Sequence, residues 1–349
     1  MPLSTVLPTI RQPSRRVLLR GAAAVGALVA AGRLRAQTTV PVKVAAVYTV
    51  PLGMPWVLRV HTALLIAQKR GEISYVYSEN ISARDYADTV RKYVEDGAQL
   101  IVGQIYDAEI ETHTLQIAND HPEVGFLVGS SKRPRQPNIA VFDNHIQEPV
   151  YLAGMIAGGL SQTGIIGQVA GYPVPKVNRL LHAFMDGARE INPDAKFLVT
   201  FVESWFDPYK ATQAARVQLD QGADILFAER VGPAEAAHQR GKLVIGCTAD
   251  TQSRYPDTVV TSALWDMGPT IERALTMIRR GAFKADDYGK YSQMRYQGAV
   301  LAPLGSFEGK VPGALMARVR ARQQTMLDGS FTIKLNHTLP QSSPEFTQR

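Results

Sequence analysis

The sequence has a single cysteine and none of the short motifs by which several enzyme classes are recognised. With Cys247 alone no intrachain disulfide can form, and its place in the apolar run 243–247 indicates a buried structural thiol. The Gly-x-Ser-x-Gly nucleophile elbow, the Walker phosphate loop and the His-Glu-x-x-His zinc motif are all missing. The sequence therefore disfavours an enzyme, and we expect no cofactor.

The seven histidines lack the spacing that is typical of metal ligands. His113 and His121 lie eight residues apart, and His182 and His238 stand alone in the sequence. We therefore expect no metal site in this protein.

Acidic residues are absent from the first 36 residues, which carry six of the 38 basic side chains. There the pair Arg15-Arg16 precedes an apolar run over 21–32, and Ala36 stands before Gln37. A run of about a dozen apolar residues is too short to span a bilayer, which needs about 20. The segment 1–36 is therefore predicted to be a twin-arginine export signal. No cysteine stands at the junction directly after this segment to carry a lipid, so we expect a periplasmic chain without a lipid anchor.

The formal net charge of +7 comes mostly from this leader. The rest of the chain has 32 basic and 31 acidic side chains, a net charge of +1. An electrostatic basis for binding nucleic acid is therefore missing, and we expect no nucleic-acid partner.

The length of 349 residues suits two lobes with a cleft between them. Short apolar runs alternate with amphipathic stretches from residue 42 onward, a pattern that predicts parallel sheets covered by helices. We predict an N-terminal lobe of residues 40–142 plus about 263–295, a C-terminal lobe of 143–262 plus about 296–335, and a loose polar tail within 336–349.

The two halves also resemble each other. Residues 94–102 and 219–227 share a helix end, a Gly-Ala turn and an apolar strand. Since ligands of such folds bind beyond the carboxyl ends of the strands, the loops after these strands should face the cleft.

Aromatic residues and a few carboxylates fill those loops. Flat aromatic faces stack on flat ligands, while a few polar groups fix the ligand edge. The candidate ligand contacts are Trp56, Tyr106, Phe142, Asp143, Tyr172, Trp205, Phe206, Asp250 and Trp265. The alternative is that Trp56 and Trp205 cap the lobe cores and that Phe142 lies inside one. Asp207, which precedes Pro208, is interpreted as a helix N-cap.

The segment 203–210, followed by 221–224, resembles the basic-membrane-protein (BMP) family of ABC-importer substrate-binding proteins. Further pieces of the resemblance are 147–148 with 151–154, 244–246 with Asp250, and 261–262. The resemblance implies a type I periplasmic binding protein: an α/β fold of two lobes, each a parallel sheet flanked by helices, with three crossovers. It implies a purine nucleoside or purine base as ligand, Phe206 as the base-stacking aromatic, Trp56 as an aromatic of the first loop, and Asp143 and Asp250 as acidic pocket positions.

Two departures from the family pattern bear on the ligand. The loop 50–56 lacks the Asp and Asn of nucleoside-binding members, and Trp265 stands where those members place a lysine for the ribose. We therefore predict a free purine base or related heteroaromatic, carried by a monomeric protein to an inner-membrane permease. The alternatives are a nucleoside-binding protein, a sensor that presents its ligand to a membrane receptor, and a periplasmic enzyme acting on a nucleoside or base.

Overall fold

The computed structural model describes residues 40–105, 108–130 and 132–347, and these form two largely parallel sheets. The first sheet has the strand order β2-β1-β3-β4-β5 and the second has the order β11-β10-β9-β8-β6-β7. The strands are β1 (Val42–Val47), β2 (Ile73–Ser78), β3 (Leu100–Gln104), β4 (Gly125–Gly129), β5 (Ile139–Phe142), β6 (Ile165–Ala170), β7 (Lys196–Phe201), β8 (Ile225–Ala228), β9 (Leu243–Thr248), β10 (Val259–Trp265) and β11 (Ala299–Leu301). Only β11 pairs antiparallel among them, which confirms the predicted fold class.

Helices cover both sheets. They are α1 (Pro55–Lys69), α2 (Ala83–Glu95), α3 (Ala108–Asp120), α4 (Gln147–Leu160), α5 (Pro175–Ile191), α6 (Pro208–Asp220), α7 (Pro233–Gln239), α8 (Gly268–Arg279) and α9 (Gly313–Leu327). Several begin where the sequence supplies a cap. The Asp207 carboxylate accepts a hydrogen bond from the Lys210 N–H, which confirms it as the N-cap of α6.

Three strands of the first sheet, β3 to β5, are apolar because both of their faces are covered. All residues of β3, β4 and β5 are buried, as expected for a parallel sheet between two helical layers. One core cluster joins the first sheet, the second sheet and helices α4 and α5. Two further clusters lie on the other faces of the first and second sheets.

The chain passes three times between the sheets. The first passage leads from β5 through α4 to β6. The second leads from β10 in the second sheet to α8, which packs on α1 and β1 of the first. The third leads from residues 287–292, which contact β5, to β11 in the second sheet.

The C-terminal tail differs from the expectation of a loose segment. The hydroxyls of Ser343 and Ser342 accept hydrogen bonds from the N–H groups of Phe197 and Val199, both at 2.9 Å. Because β7 is an edge strand of the second sheet, these serines satisfy backbone donors that have no neighbouring strand. The predicted export signal lies outside the described residues, and no described helix is long and apolar enough to cross a membrane.

Candidate ligand-binding site

Two adjoining cavities lie beyond the carboxyl ends of the strands of both sheets. The outer cavity has a volume of about 440 Å³ and the inner cavity about 50 Å³. Six residues line both of them: Met54, Trp56, Asn144, Trp205, Glu229 and Arg230. The first three follow strands of the first sheet and the last three follow strands of the second. The two cavities therefore form one cleft between the sheets, at the place where parallel α/β folds bind ligands.

Trp56 forms the wall on the side of the first sheet. Its ring stacks on Phe142 with 5.4 Å between centroids and 13° between planes, and it lies 5.2 Å from the ring of Trp265. Gly129 at the end of β4 makes room for it, since a methyl group at this position would lie 2.3 Å from Trp56 Cη2. Phe142 and Trp265 on one side and the backbone at Gly129 thus hold the indole of Trp56 in one orientation.

Trp205 forms the wall on the side of the second sheet. Tyr172 supports its ring at 4.9 Å, and Arg230 Nη1 donates a hydrogen bond of 2.8 Å to its carbonyl oxygen. The Lys176 ammonium and the Arg230 guanidinium lie 5.1 and 5.5 Å from its ring centroid. Cations at these distances are attracted to the face of an indole, so this second tryptophan is also fixed by its surroundings.

Glu229 and Arg230 form a buried ion pair at the base of the cleft. Arg230 Nε lies 2.8 Å from one carboxylate oxygen and Nη2 contacts the other, while the Gly171 N–H donates to the first at 3.0 Å. Burial opposes the charge of Arg230, but the attraction of Glu229 outweighs it and raises the pKa of the guanidinium. The pair therefore neutralises itself without a ligand.

Cys247 lies beside this ion pair. Burial, together with the nearby Glu229 carboxylate, raises the pKa of its thiol to about 12. The thiol therefore stays protonated at neutral pH, and the burial of Cys247 agrees with its interpretation as a buried thiol.

Two amides and one ammonium supply the remaining polar groups of the inner cavity. Gln104 ends β3 and is buried, whereas Lys176 is half-buried in the first turn of α5. Asn144 follows β5 and exposes 9% of its surface. Its side-chain amide makes no hydrogen bond within the part of the chain that the structure describes, although its backbone is fixed by Asp143 and Arg179.

Four of the nine sequence-predicted residues lie at the cleft. Trp56 and Trp205 line both cavities. Phe206 is 52% exposed and lines only the outer cavity, and Tyr172 supports Trp205 from behind without lining either. Tyr106 lies outside the described residues.

The structure differs from the prediction for two aromatic residues. Phe142 and Trp265 are fully buried and line neither cavity. They form a layer beneath Trp56 with 6.2 Å between their centroids, and Trp265 Nε1 donates to the Ser292 hydroxyl at 2.9 Å. The structure therefore places Trp265, which was predicted as a ligand contact, beneath the cleft with its polar atom bonded inside the protein.

The two predicted carboxylates also line neither cavity. Asp143 is buried in an ion pair with Arg179, with 3.0 Å between the charged atoms. Asp250 lies in an exposed turn, where it accepts hydrogen bonds from the Ser262 hydroxyl at 3.1 Å and the Gln252 N–H at 3.0 Å. Both have protein partners, so they act in the structure as anchors for the loops after β5 and β9.

Sequence reasoning missed the polar lining of the cleft. Glu229 and Arg230 follow directly after β8, and Gln104 ends β3, so the rule applied to aromatic residues would have found them as well. Asn144 follows β5 next to Asp143, so the same rule would have found it too. Lys176 carries no comparable signal, since it stands in the first turn of a helix whose direction depends on tertiary packing.

Comparison with protein families gives a match over more than half of the chain. The family model described as ABC transporter substrate-binding protein PnrA-like matches residues 46–289. A putative ABC transporter glucose-binding protein of Haloferax volcanii is 31% identical over 61% of this chain and 54% of its own length. A purine-binding protein of Brucella abortus is 29% identical over 59% of each chain. The match thus spans little more than half of these relatives.

Solved structures share the fold over a larger part of the chain. A solute-binding protein of an ABC transporter system from Conexibacter woesei has a TM-score of 0.69 and 25% identity, over 84% of this chain and 99% of that one. A solute-binding protein from Aeropyrum pernix has a TM-score of 0.68 at 19% identity, over 88% and 96% of the two chains, which supports the fold alone.

Proposed function

The chain belongs to the Bmp family of PnrA-like ABC transporter substrate-binding proteins, and from this premise we propose that it binds a small planar heteroaromatic ligand, best a purine base, in the cleft between its two sheets. The family consists of substrate-binding proteins and not enzymes, and the Conexibacter woesei neighbour at 25% identity is also a solute-binding protein. The proposed role is delivery: the exported monomer binds the ligand in the periplasm and carries it to an inner-membrane permease.

The position of two tryptophans carries this proposal. Trp56 and Trp205 follow strands of opposite sheets, yet both line both cavities. A flat ring in contact with both indoles binds each sheet at once, and so it favours the arrangement in which the sheets are close together. Stacking on an indole is tolerant of the base and contributes about 1–3 kcal/mol per base.

The polar lining supports a heteroaromatic ring over a sugar. A sugar needs a hydrogen-bonding partner for each hydroxyl, but the Glu229 carboxylate is already occupied by Arg230 and the Gly171 N–H. The Asn144 amide, by contrast, can donate to and accept from one edge of a heterocycle. The name of the Haloferax volcanii relative nevertheless makes glucose the competitor to test.

Isothermal titration calorimetry of the purified protein tests this proposal. The panel consists of adenine, hypoxanthine, adenosine, uracil and glucose. We expect one purine base to bind at one site per chain, more tightly than adenosine or glucose. At 100 times its dissociation constant, that base should stabilise the protein by about 2.7 kcal/mol in thermal unfolding.

Variants of the two walls connect binding to the site. Trp56→Ala and Trp205→Ala should each weaken binding by about tenfold to hundredfold, because each removes one stacking surface. The control is Tyr77→Ala, which removes a 42% exposed aromatic ring on β2 that lines neither cavity. Unchanged affinity in both tryptophan variants, or a preference for glucose, would contradict the proposal.

A further inference from the structure

One cation in the inner cavity has no counter-ion. The charged residues that line this cavity are Lys176, Glu229 and Arg230, and the last two neutralise each other. The Lys176 ammonium lies over the Trp205 ring at 5.1 Å and makes no ion pair or hydrogen bond with the described residues. The inner cavity therefore has a local charge of about +1 that the described residues leave uncompensated.

The charged groups of the outer cavity do not compensate for it. Glu235 accepts hydrogen bonds from the Tyr255 hydroxyl at 2.5 Å and from Gln239 at 2.7 Å. Arg254 lies over the Tyr255 ring at 5.1 Å, on the same side of the outer cavity. One acidic and one basic residue thus oppose each other there, and the excess positive charge stays with Lys176.

Two further features make this end of the cleft suitable for an anion. Lys176 is the second residue of α5, a helix of 17 residues whose amino-terminal end carries a partial positive charge that favours an anion. Independently, Asn144 is nine-tenths buried, lines the same cavity and has an unpartnered side-chain amide. Because this amide lines the cavity and has no protein partner among the described residues, its donor and acceptor are available to a ligand.

From these features, and resting on the function proposed above, we infer that the ligand is a planar heteroaromatic anion. Its carboxylate or enolate oxygen lies against the Lys176 ammonium at the start of α5, and the Asn144 amide binds another edge of the ring. A neutral ring would fill the same space but would close the cleft over an unpaired ammonium, which is unfavourable. The anion replaces the solvent that this ammonium loses.

A matched pair of ligands isolates the charge. Purine-6-carboxylate and purine-6-carboxamide have nearly the same size and differ in charge at neutral pH. In titration calorimetry at pH 7.5 we expect the carboxylate to bind at least about tenfold more tightly, because a charge-assisted hydrogen bond replaces a neutral one. Raising the salt concentration should reduce this difference.

Variants of the lysine attribute the preference to this site. Lys176→Gln should make the affinities for the two ligands equal, whereas Lys176→Arg should keep the preference. Lys242→Gln removes the same charge from an exposed position outside both cavities and should leave the ratio unchanged.

The outcomes separate the inference from the function on which it rests. If the carboxamide binds as tightly as the carboxylate, the ligand is a neutral ring. If Lys176→Gln keeps the preference, a group other than Lys176 recognises the charge. Either result overturns the inference while the proposed function stands. If no purine of either charge binds, the proposed function itself has failed.

Discussion

At the scale of single residues, Gly129 determines where the first wall of the cleft can lie. It ends β4, and an added methyl group would lie 2.3 Å from Trp56 Cη2 and 2.8 Å from Cζ2. The strand is hydrogen-bonded on both sides and cannot move away, so the indole has to leave its place. Gly129→Ala should therefore weaken ligand binding by about tenfold or more, with a destabilisation of about 1–3 kcal/mol from overpacking.

Gly53→Ala is the matched control for this prediction. Gly53 lies in the loop before α1, and an added methyl group there meets no atom within 4 Å. Titration calorimetry with the tightest purine of the panel, together with thermal unfolding, measures both effects. Equal affinities of Gly129→Ala and the unchanged protein would show that the indole position does not matter for binding.

Residue roles could be predicted only where position along a strand determines them. Trp56 and Trp205 were found because residues beyond the carboxyl end of a parallel strand face the cleft. The same rule selected Phe142 and Trp265, yet these lie one layer deeper, and sequence spacing contains no information on depth. Asp143 was selected as a ligand contact, but its partner Arg179 is 36 residues away and brought near only by the fold.

At the scale of elements, helices α4 and α5 pack with almost no side chain between their backbones. A methyl group at Gly154 would lie 2.2 Å from the Phe184 carbonyl oxygen, and one at Gly187 would lie 2.0 Å from the Tyr151 carbonyl oxygen. Gly154 and Gly187 are therefore close-packing residues of this helix pair. This helix pair belongs to the core cluster that joins the two sheets.

Gly154→Ala should therefore destabilise the protein, because the two backbones must separate. We expect a loss of about 1–3 kcal/mol in the free energy of unfolding, the usual range for overpacked cores. Gly159→Ala in the same helix meets only the flexible end of Leu315, and alanine is favoured over glycine in a helix by about 0.5–1 kcal/mol. Gly159→Ala should therefore lower the free energy of unfolding by less than Gly154→Ala does, or should raise it. Urea unfolding followed by circular dichroism measures both, and equal losses would contradict the argument.

Most elements could be predicted from hydrophobic period alone, and the exceptions have physical causes. Helix α7 has seven residues, Pro233–Gln239, which is too short for a helical period to be recognised. Strand β11 is only Ala299–Leu301, because Gln297 adopts a left-handed conformation after a 3-10 turn, and three residues are too few for an alternating pattern to be recognised. The tail is fixed by serine hydroxyls on an edge strand, and sequence patterns do not indicate such contacts.

At the scale of the whole molecule, one hydrogen bond crosses the cleft beside the cavities. Arg59 in α1, next to the first sheet, donates from Nε to the Thr248 carbonyl oxygen at the end of β9 in the second sheet, at 3.0 Å. Thr248 has φ of 67°, a strained value for a β-branched residue. Burial lowers the pKa of Arg59, and Asp266 and Asp250 oppose this effect. The partners are 189 residues apart, so sequence reasoning could not pair them.

This contact should slow the release of ligand, because the sheets cannot separate at this point while it is present. Arg59→Gln should raise the dissociation rate of the tightest purine about tenfold, in line with the contribution of a hydrogen bond from a charged donor, and change the association rate little. Arg70→Gln makes the same change at the other end of α1, where Arg70 pairs with Glu72 and Glu272 away from the cleft. Stopped-flow fluorescence of the cleft tryptophans measures both rates. Equal dissociation rates of the Arg59→Gln and Arg70→Gln variants would contradict this prediction. The two sheets would then be held together by the ligand stacked between Trp56 and Trp205 and not by the Arg59 hydrogen bond.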